Sequence, residues 1–275
     1  MSFWTRLLRG ATGDHYHRGI RLFNDGNYDE AARVLEELVD HRRANPFSQL
    51  GAFYAAEAHS KLGLAHFHRG ELERARHHFS TALEENPRYP DLSYYLGAVE
   101  HRAGNHEAAI EHLSRAIELN PDYVDEGSPY LVKARGHREL GETALGIDTL
   151  TKYRQRGGHD PDALLALARS LGEAERKADA LDVLEDVLLV APLRPEVHLT
   201  LGEALLAAGR ATDAVVEYRA LLAMQPHDLA DAHYRLAKAY AAAEDRARSR
   251  EHLLYALEIA PHYREAQQLL LEVVR

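Results

Sequence analysis

Histidine is the residue to test first for chemistry, because 18 of the 275 residues are histidine and imidazole is both a common metal ligand and a proton carrier near neutral pH. They cluster as "HYH" at 15–17, "HFH" at 66–68 and "HH" at 77–78. A zinc site on a single helix needs two histidines four residues apart, and no such pair occurs. Side chains two apart on a helix diverge, so His66 and His68 are not expected to grip one ion. His78 and His112, 34 residues apart, would be separated by one helix-pair spacing of roughly 10 Å, too wide for a shared ligand sphere. The expectation is therefore surface histidine, with no metal and no cofactor. The 43 carboxylates are spread as solvated helix faces and form no convergent acid–base pair. Neither "LRGATG" nor "RGG" has the strand-to-helix context or the lysine of a phosphate-binding loop. With no cysteine, disulfides, thiolate zinc sites and cysteine nucleophiles are excluded. A catalytic role is not expected.

The elements that carry these residues repeat. "GNHEAAIEHLSRAIELNP" at 104–121 holds two histidines and three glutamates, and 34 residues earlier stands "GELERARHHFSTALEENP". Gly63 and Gly97, Gly70 and Gly104, Ala75 and Ala109, Ala82 and Ala116, and Pro87 and Pro121 share that offset. It also links Ala168 to Gly202, Ala180 to Ala214 and Pro192 to Pro226. Each repeated offset has a physical reading. Gly97 and Ala109 remove bulk where two helices cross, Gly104 takes a left-handed turn after the first helix, and Pro121 ends the second. Leu96, Leu113 and Ile117 supply the apolar stripe that closes the pair.

Seven copies follow, at 12–45, 56–89, 90–123, 127–160, 161–194, 195–228 and 230–263, between an N-terminal segment 1–11 and a C-terminal capping helix 264–275. In that cap Ala266, Leu269, Leu270 and Val273 share one face, while Leu271 and Val274 lie off it. Asn45 and Pro46 form a helix-start signal, so the helix of the second copy is expected to extend backward through "NPFSQLGAFY". The fourth copy is degenerate: "DEGSPY" inserts three residues, and Gly146 and Tyr153 replace alanines. It is either a hinge or a diverged repeat.

These residues resemble the tetratricopeptide repeat family. The resemblance implies an all-α fold, a right-handed superhelical solenoid of stacked antiparallel helix pairs, whose first helices line a concave groove that binds peptide segments or protein elements. Carrying the groove positions over copy by copy gives Tyr16, Ile20, Phe23 and Asn24, then Ser60, Leu64, Phe67 and His68. Tyr94, His101, Arg102, Leu131, Arg135 and Arg138 follow, then Arg169, Leu199, Glu203, Tyr234 and Lys238. The principal candidates are Phe23, Asn24, Phe67, His68, Tyr94, His101, Arg102, Arg135, Arg138 and Arg169. Such a groove is aromatic at one end and arginine-rich in the middle, which suits a protein or peptide segment with apolar anchors and acidic residues. The chaperone-tail clamp of some family members is disfavoured, because its asparagine places hold other residues here, such as Tyr95.

Charge and composition narrow the partner classes. The formal charge is −10 and neither half is basic, so nucleic acid is not an expected partner. No apolar run is long enough to span a bilayer, and the opening "MSFWTRLLRG" places arginines where a signal peptide needs an unbroken apolar core, so a cytoplasmic location is expected. Phe3, Trp4, Leu7 and Leu8 form an apolar patch beside Arg6 and Arg9. That patch would cap the first repeat, dock into a second copy, or touch a membrane surface. Two functions remain: a non-catalytic scaffold or adaptor that binds a partner segment and supports assembly of a complex, or a self-assembling protein that forms homo-oligomers through its N-terminal segment.

Overall fold

The computed structural model describes residues 15–44, 49–120 and 129–274, and every regular element among them is an α-helix. The chain divides into two compact units, Met1–Thr149 and Leu150–Arg275. The first contains α1 (15–24), α2 (Tyr28–Ala44), α3 (Gln49–His68), α4 (Leu72–Glu85), α5 (Pro90–Arg102), α6 (His106–Leu119), α7 (Pro129–Glu139) and the beginning of α8 (Thr143–Gln155). The second holds the end of α8, then α9 (Pro161–Glu173), α10 (Lys177–Val190), α11 (Pro195–Ala207), α12 (Ala211–Ala223), α13 (Leu229–Ala242), α14 (Arg246–Ile259) and α15 (Arg264–Val274). Consecutive helices pair, and α3 does begin well before its repeat, at Gln49.

Among the described residues, seven turns of one type each join two consecutive helices. After α5, Gly104 at φ +83° donates its N–H to the His101 carbonyl at 3.1 Å, and Asn105 donates to the Glu100 carbonyl at 2.9 Å. This pair of hydrogen bonds satisfies two of the carbonyls that a helix end leaves orphaned, and it requires a left-handed residue. Gly26, Gly70, Gly141 and Gly209 repeat the geometry. Glu175 (φ 58°) and Glu244 (φ 62°) stand in the same place in the other two turns. Helix starts are set locally as well: proline occupies the first turn of α5, α9 and α11, and the side chains of Asp160, Asp228 and Asp245 accept the N–H groups of Ala163, Asp231 and Arg248.

In four of the described pairs a missing side chain lets a large one in. A Cβ on Gly97 would stand 2.5 Å from Leu113 Cγ, one on Gly63 2.6 Å from the Phe79 ring, and one on Gly19 2.6 Å from Leu35. In the second unit Gly202 accommodates the ring of buried Tyr218 in the same way. Phe79, Ala82, Leu92, Leu96 and Val99 then form a core layer running from one pair to the next, followed by Tyr94, Ala109, Leu113 and Ala116. Full burial of an aliphatic or aromatic side chain stabilises by about 1.5–3 kcal/mol, so the first layer binds one pair to its neighbour, while the second closes the α5–α6 pair and meets α7 through Val132. The terminal α15 seals the second unit with Ala266, Leu269, Leu270 and Val273, and leaves Leu271 and Val274 exposed.

In the fourth copy Tyr153 is buried where an alanine would sit, and its hydroxyl accepts the Asp160 N–H at 2.9 Å. Its ring lies 2.4 Å from where a Cβ on Gly158 would be, and Gly157 takes a left-handed φ of +82°, so packing and backbone account for the two glycines of "RGG". Among the described residues no helix is long and apolar enough to cross a membrane.

Candidate functional site

The face built by α1, α3, α5 and α7 in the first unit gathers most of the candidate residues at the C-terminal ends of those helices. Phe23 packs edge-on against Tyr28, with centroids 5.3 Å apart, and the His68 ring stacks on Tyr28 at 5.0 Å. The Lys61 ammonium stands 5.6 Å from the Phe23 ring centre. One repeat further on, the Arg102 guanidinium lies 4.5 Å over the Phe67 ring and donates to the Phe67 carbonyl at 3.2 Å. That contact flattens Arg102 against an apolar surface and leaves its remaining N–H groups outward. Arg135 and Arg138 follow on α7, both exposed.

The electrostatics of this face are cationic and only partly compensated. Arg138 pairs with its neighbour Glu139 at 3.4 Å, whereas among the described residues Arg102 and Arg135 have no carboxylate at salt-bridge distance. Burial pushes the His101 imidazolium pKa below its ordinary value, and the charges of His106, Arg135 and Arg138 push the same way against the opposing Glu139. His101 is therefore a neutral ring at pH 7, 5.2 Å from His106, and the Nδ1 atoms of both are buried without a hydrogen-bond partner. The arrangement offers two aromatic shelves and a row of guanidinium donors, the chemistry that takes apolar side chains and carboxylates.

Not every sequence candidate reaches this face. Tyr94 is only 5% exposed and packs into the layer with Ala109, Leu113 and Ala116, so it belongs to the core and offers a partner little surface. Asn24 is exposed beside Phe23. Arg169 is exposed on α9 of the second unit, with no carboxylate at salt-bridge distance among the described residues. Phe3, Trp4, Leu7 and Leu8 lie outside the described residues. Sequence reasoning missed Tyr28, Lys61 and His106: each completes a ring or charge contact made by a candidate, and two of them begin second helices, where groove positions are not sought.

The second unit has a different concavity, a pocket of about 550 Å³ lined by Glu203, Tyr218, Asp231, Tyr234, Arg235, Lys238, Tyr263 and Glu265. Arg235 is clamped between Asp231 and Glu203, and the Tyr263 hydroxyl donates to Asp231 at 2.9 Å. Burial first, then the charge of Glu203, drives the Tyr218 pKa up and keeps that phenol neutral. With three carboxylates against two cations, and its arginine already paired, this pocket is not suited to an acidic segment. A further cluster joins α2, α3 and α4, where Glu36, His66 and His78 approach one another. The helical-spacing test for metal ligands missed it because its members come from three helices.

The family model for the tetratricopeptide repeat (TPR) matches residues 16–85, 60–124, 165–228 and 199–264, and between these stretches lies the degenerate fourth copy. No curated protein matches the chain. Among solved structures, the C-terminal part of a TPR repeat-containing protein from Cytophaga hutchinsonii is similar at a TM-score of 0.73 and 17% identity, over 92% of this chain and 98% of that one. YrrB, a TPR protein with an unusual peptide-binding site, gives a TM-score of 0.61 at 22% identity over 70% of this chain and 96% of its own. A tetratricopeptide repeat protein from Parabacteroides merdae gives 0.60 at 12% identity over 97% and 100%. These identities speak to fold alone. The family match spans well over half of the chain, and the glycine crossings and left-handed turns recur through the matched repeats, so the chain belongs to the tetratricopeptide repeat family.

Proposed function

We propose that this protein is a non-catalytic interaction scaffold that binds a partner segment across the α1–α3–α5–α7 face and so supports assembly of a protein complex. The segment carries an apolar anchor that sits between Phe23 and Phe67, and acidic residues or a carboxylate that meet Arg102, Arg135 and Arg138. The observation that carries this reading is Arg102, laid flat on Phe67 and free of any carboxylate at salt-bridge distance among the described residues. A guanidinium held in place by a ring loses little freedom on binding, which favours it as an anchor for a carboxylate. Membership of a family of interaction scaffolds agrees with the reading, as does YrrB, whose peptide-binding site sits on the same kind of fold.

The test compares intact protein with the variant Arg102→Ala/Arg135→Ala/Arg138→Ala in affinity capture from the source lysate. Partners recovered by the intact protein should fall by about tenfold or more with the variant, since charged hydrogen bonds are worth about 1.5–3 kcal/mol each. An unchanged capture profile from a folded variant would remove the arginine-centred site.

Self-assembly through Phe3, Trp4, Leu7 and Leu8 is the competing proposal, motivated by the amphipathic opening of the sequence. Light scattering of the full chain and of a chain lacking residues 2–10 separates the two. Self-assembly requires an oligomer that becomes a folded monomer on deletion, and the scaffold reading expects the same number of chains per particle for both.

A further inference from the structure

His66 is fully buried in α3, yet its Nε2 has no hydrogen-bond partner. Its other ring nitrogen, Nδ1, lies 2.7 Å from Glu71 Oε2. An ionised carboxylate can only accept, so Nδ1 carries the hydrogen, and in the tautomer with a single ring hydrogen Nε2 is a bare lone pair. Another acceptor, Glu36 Oε1, stands 3.7 Å from that nitrogen. Two acceptors facing each other beside a dry core are costly unless something positive stands between them.

The rest of the cluster indicates what that is. One donor atom from each of Glu36, His66 and His78 lies within 4.8 Å of the other two. The His78 ring is parallel to that of His66 at a centroid distance of 5.3 Å, and its Nδ1 is 2.9 Å from His59 Nδ1. A proton on His66 would answer Glu36 and Glu71 but would make no use of the third donor. A metal ion uses all three. We propose that Glu36, His66 and His78 form a binding site for a divalent transition-metal ion, with Zn²⁺ the best match, and that Glu71 and His59 orient the two imidazoles from behind.

Two histidines and one carboxylate are a zinc ligand set, and the fourth tetrahedral position is left to water. Metal–ligand bonds of about 2.0–2.2 Å place ligand atoms roughly 3.4 Å apart, so the three donors must close by about an ångström. Rotation of the imidazoles about their broad χ2 torsion supplies part of this closure, and the half-exposed Glu36 side chain supplies the rest. The Glu71–His66 contact is the carboxylate–histidine pairing that commonly stands behind a metal-bound imidazole. The site would clasp α2, α3 and α4, joining the first helix pair to the second, and it is independent of the peptide-binding face.

The test uses the full chain, stripped with a chelator and titrated with ZnCl₂ by calorimetry and with Co²⁺ by visible absorption. One ion per chain, the strong bands of four-coordinate Co²⁺ and a rise in melting temperature with Zn²⁺ are expected. Glu36→Gln and His78→Gln should each abolish the stoichiometric binding, and Glu71→Gln should weaken it by about 10–100-fold. His227→Gln and His262→Gln, both at exposed positions, should bind as the parent does. Glu36 is exposed, so circular dichroism of Glu36→Gln should match the parent and separate lost binding from lost folding. Absence of saturable binding, or equal binding by Glu36→Gln and His78→Gln, would overturn the proposal.

Discussion

At five of the seven turns inside helix pairs the left-handed residue is glycine, and at two it is glutamate, Glu175 and Glu244. A side chain in that conformation costs about 1–2 kcal/mol, and glycine gives back about half of this through the freedom it loses on folding. Glu175→Gly and Glu244→Gly should therefore each stabilise the protein by about 0.5–1 kcal/mol, read from urea unfolding. Gly104→Ala should cost about 1 kcal/mol for the dihedral alone, because nothing lies within 4 Å of the added carbon. A stabilised Gly104→Ala would mean the turn is not left-handed. The turn glycines were legible in the sequence through their spacing; Phe67 and Arg102 were each named from the repeat offset, but their contact with one another was not. Tyr94 was misplaced because neighbouring helical positions differ by about 100° around the axis, and the repeat offset alone does not say how deeply the flanking pairs bury such a ring.

The helix crossings make a sharper test, because two glycines inside helices should respond to the same substitution with opposite signs. Gly97 in α5 has Leu113 pressed against it, and a Cβ there would stand 2.5 Å from Cγ, well inside contact distance. Gly172 in α9 has nothing within 4 Å and an ordinary helical backbone. Gly97→Ala should destabilise, and Gly97→Leu should cost on the order of 1–3 kcal/mol or more through overpacking. Gly172→Ala should instead stabilise by about 0.5–1 kcal/mol, as glycine to alanine does in an open helical site. Differential scanning calorimetry of the three variants checks the signs, and a stabilised Gly97→Ala would put the crossing in the wrong register. Helix pairing was readable because the 34-residue period fixes which residues meet inside a pair. The histidine cluster was not, since His59 and His66 on α3, His78 on α4 and Glu36 on α2 meet only after three helices pack. Within any one helix their spacing carries no metal signal.

Stability of the chain as a function of pH follows from groups in both units. Burial holds the pKa values of His101, His233 and His252 below 6.5, with neighbouring positive charge adding to the effect at His101 and His252. The unfolded chain takes up these protons first as pH falls through about 6.5, so the stabilisation is complete above that pH and declines below it. Glu71 and Glu100 act in a lower window. The His66 hydrogen bond holds the Glu71 carboxyl below its ordinary 4.5 against some burial, and at Glu100 burial raises the pKa but hydrogen bonds from Arg76 and Asn105 outweigh it. Their contribution is present above about pH 4.5 and is lost as pH falls through the depressed values. Melting temperature should therefore drop from pH 7.5 to 5.5 and drop again below pH 4.5. A melting temperature that rises on acidification to pH 5.5 would contradict the histidine assignments.

Peptide recognition itself is best read by selecting a displayed random-peptide library on the intact chain and on Arg102→Ala/Arg135→Ala/Arg138→Ala. The intact chain should enrich segments that pair an aromatic or aliphatic anchor with acidic residues or a free carboxylate, and the variant, folded to the same extent, should lose the acidic preference. Enrichment of basic segments, no enrichment at all, or the same acidic preference in both proteins would contradict a binding face built from Phe23, Phe67 and these three arginines.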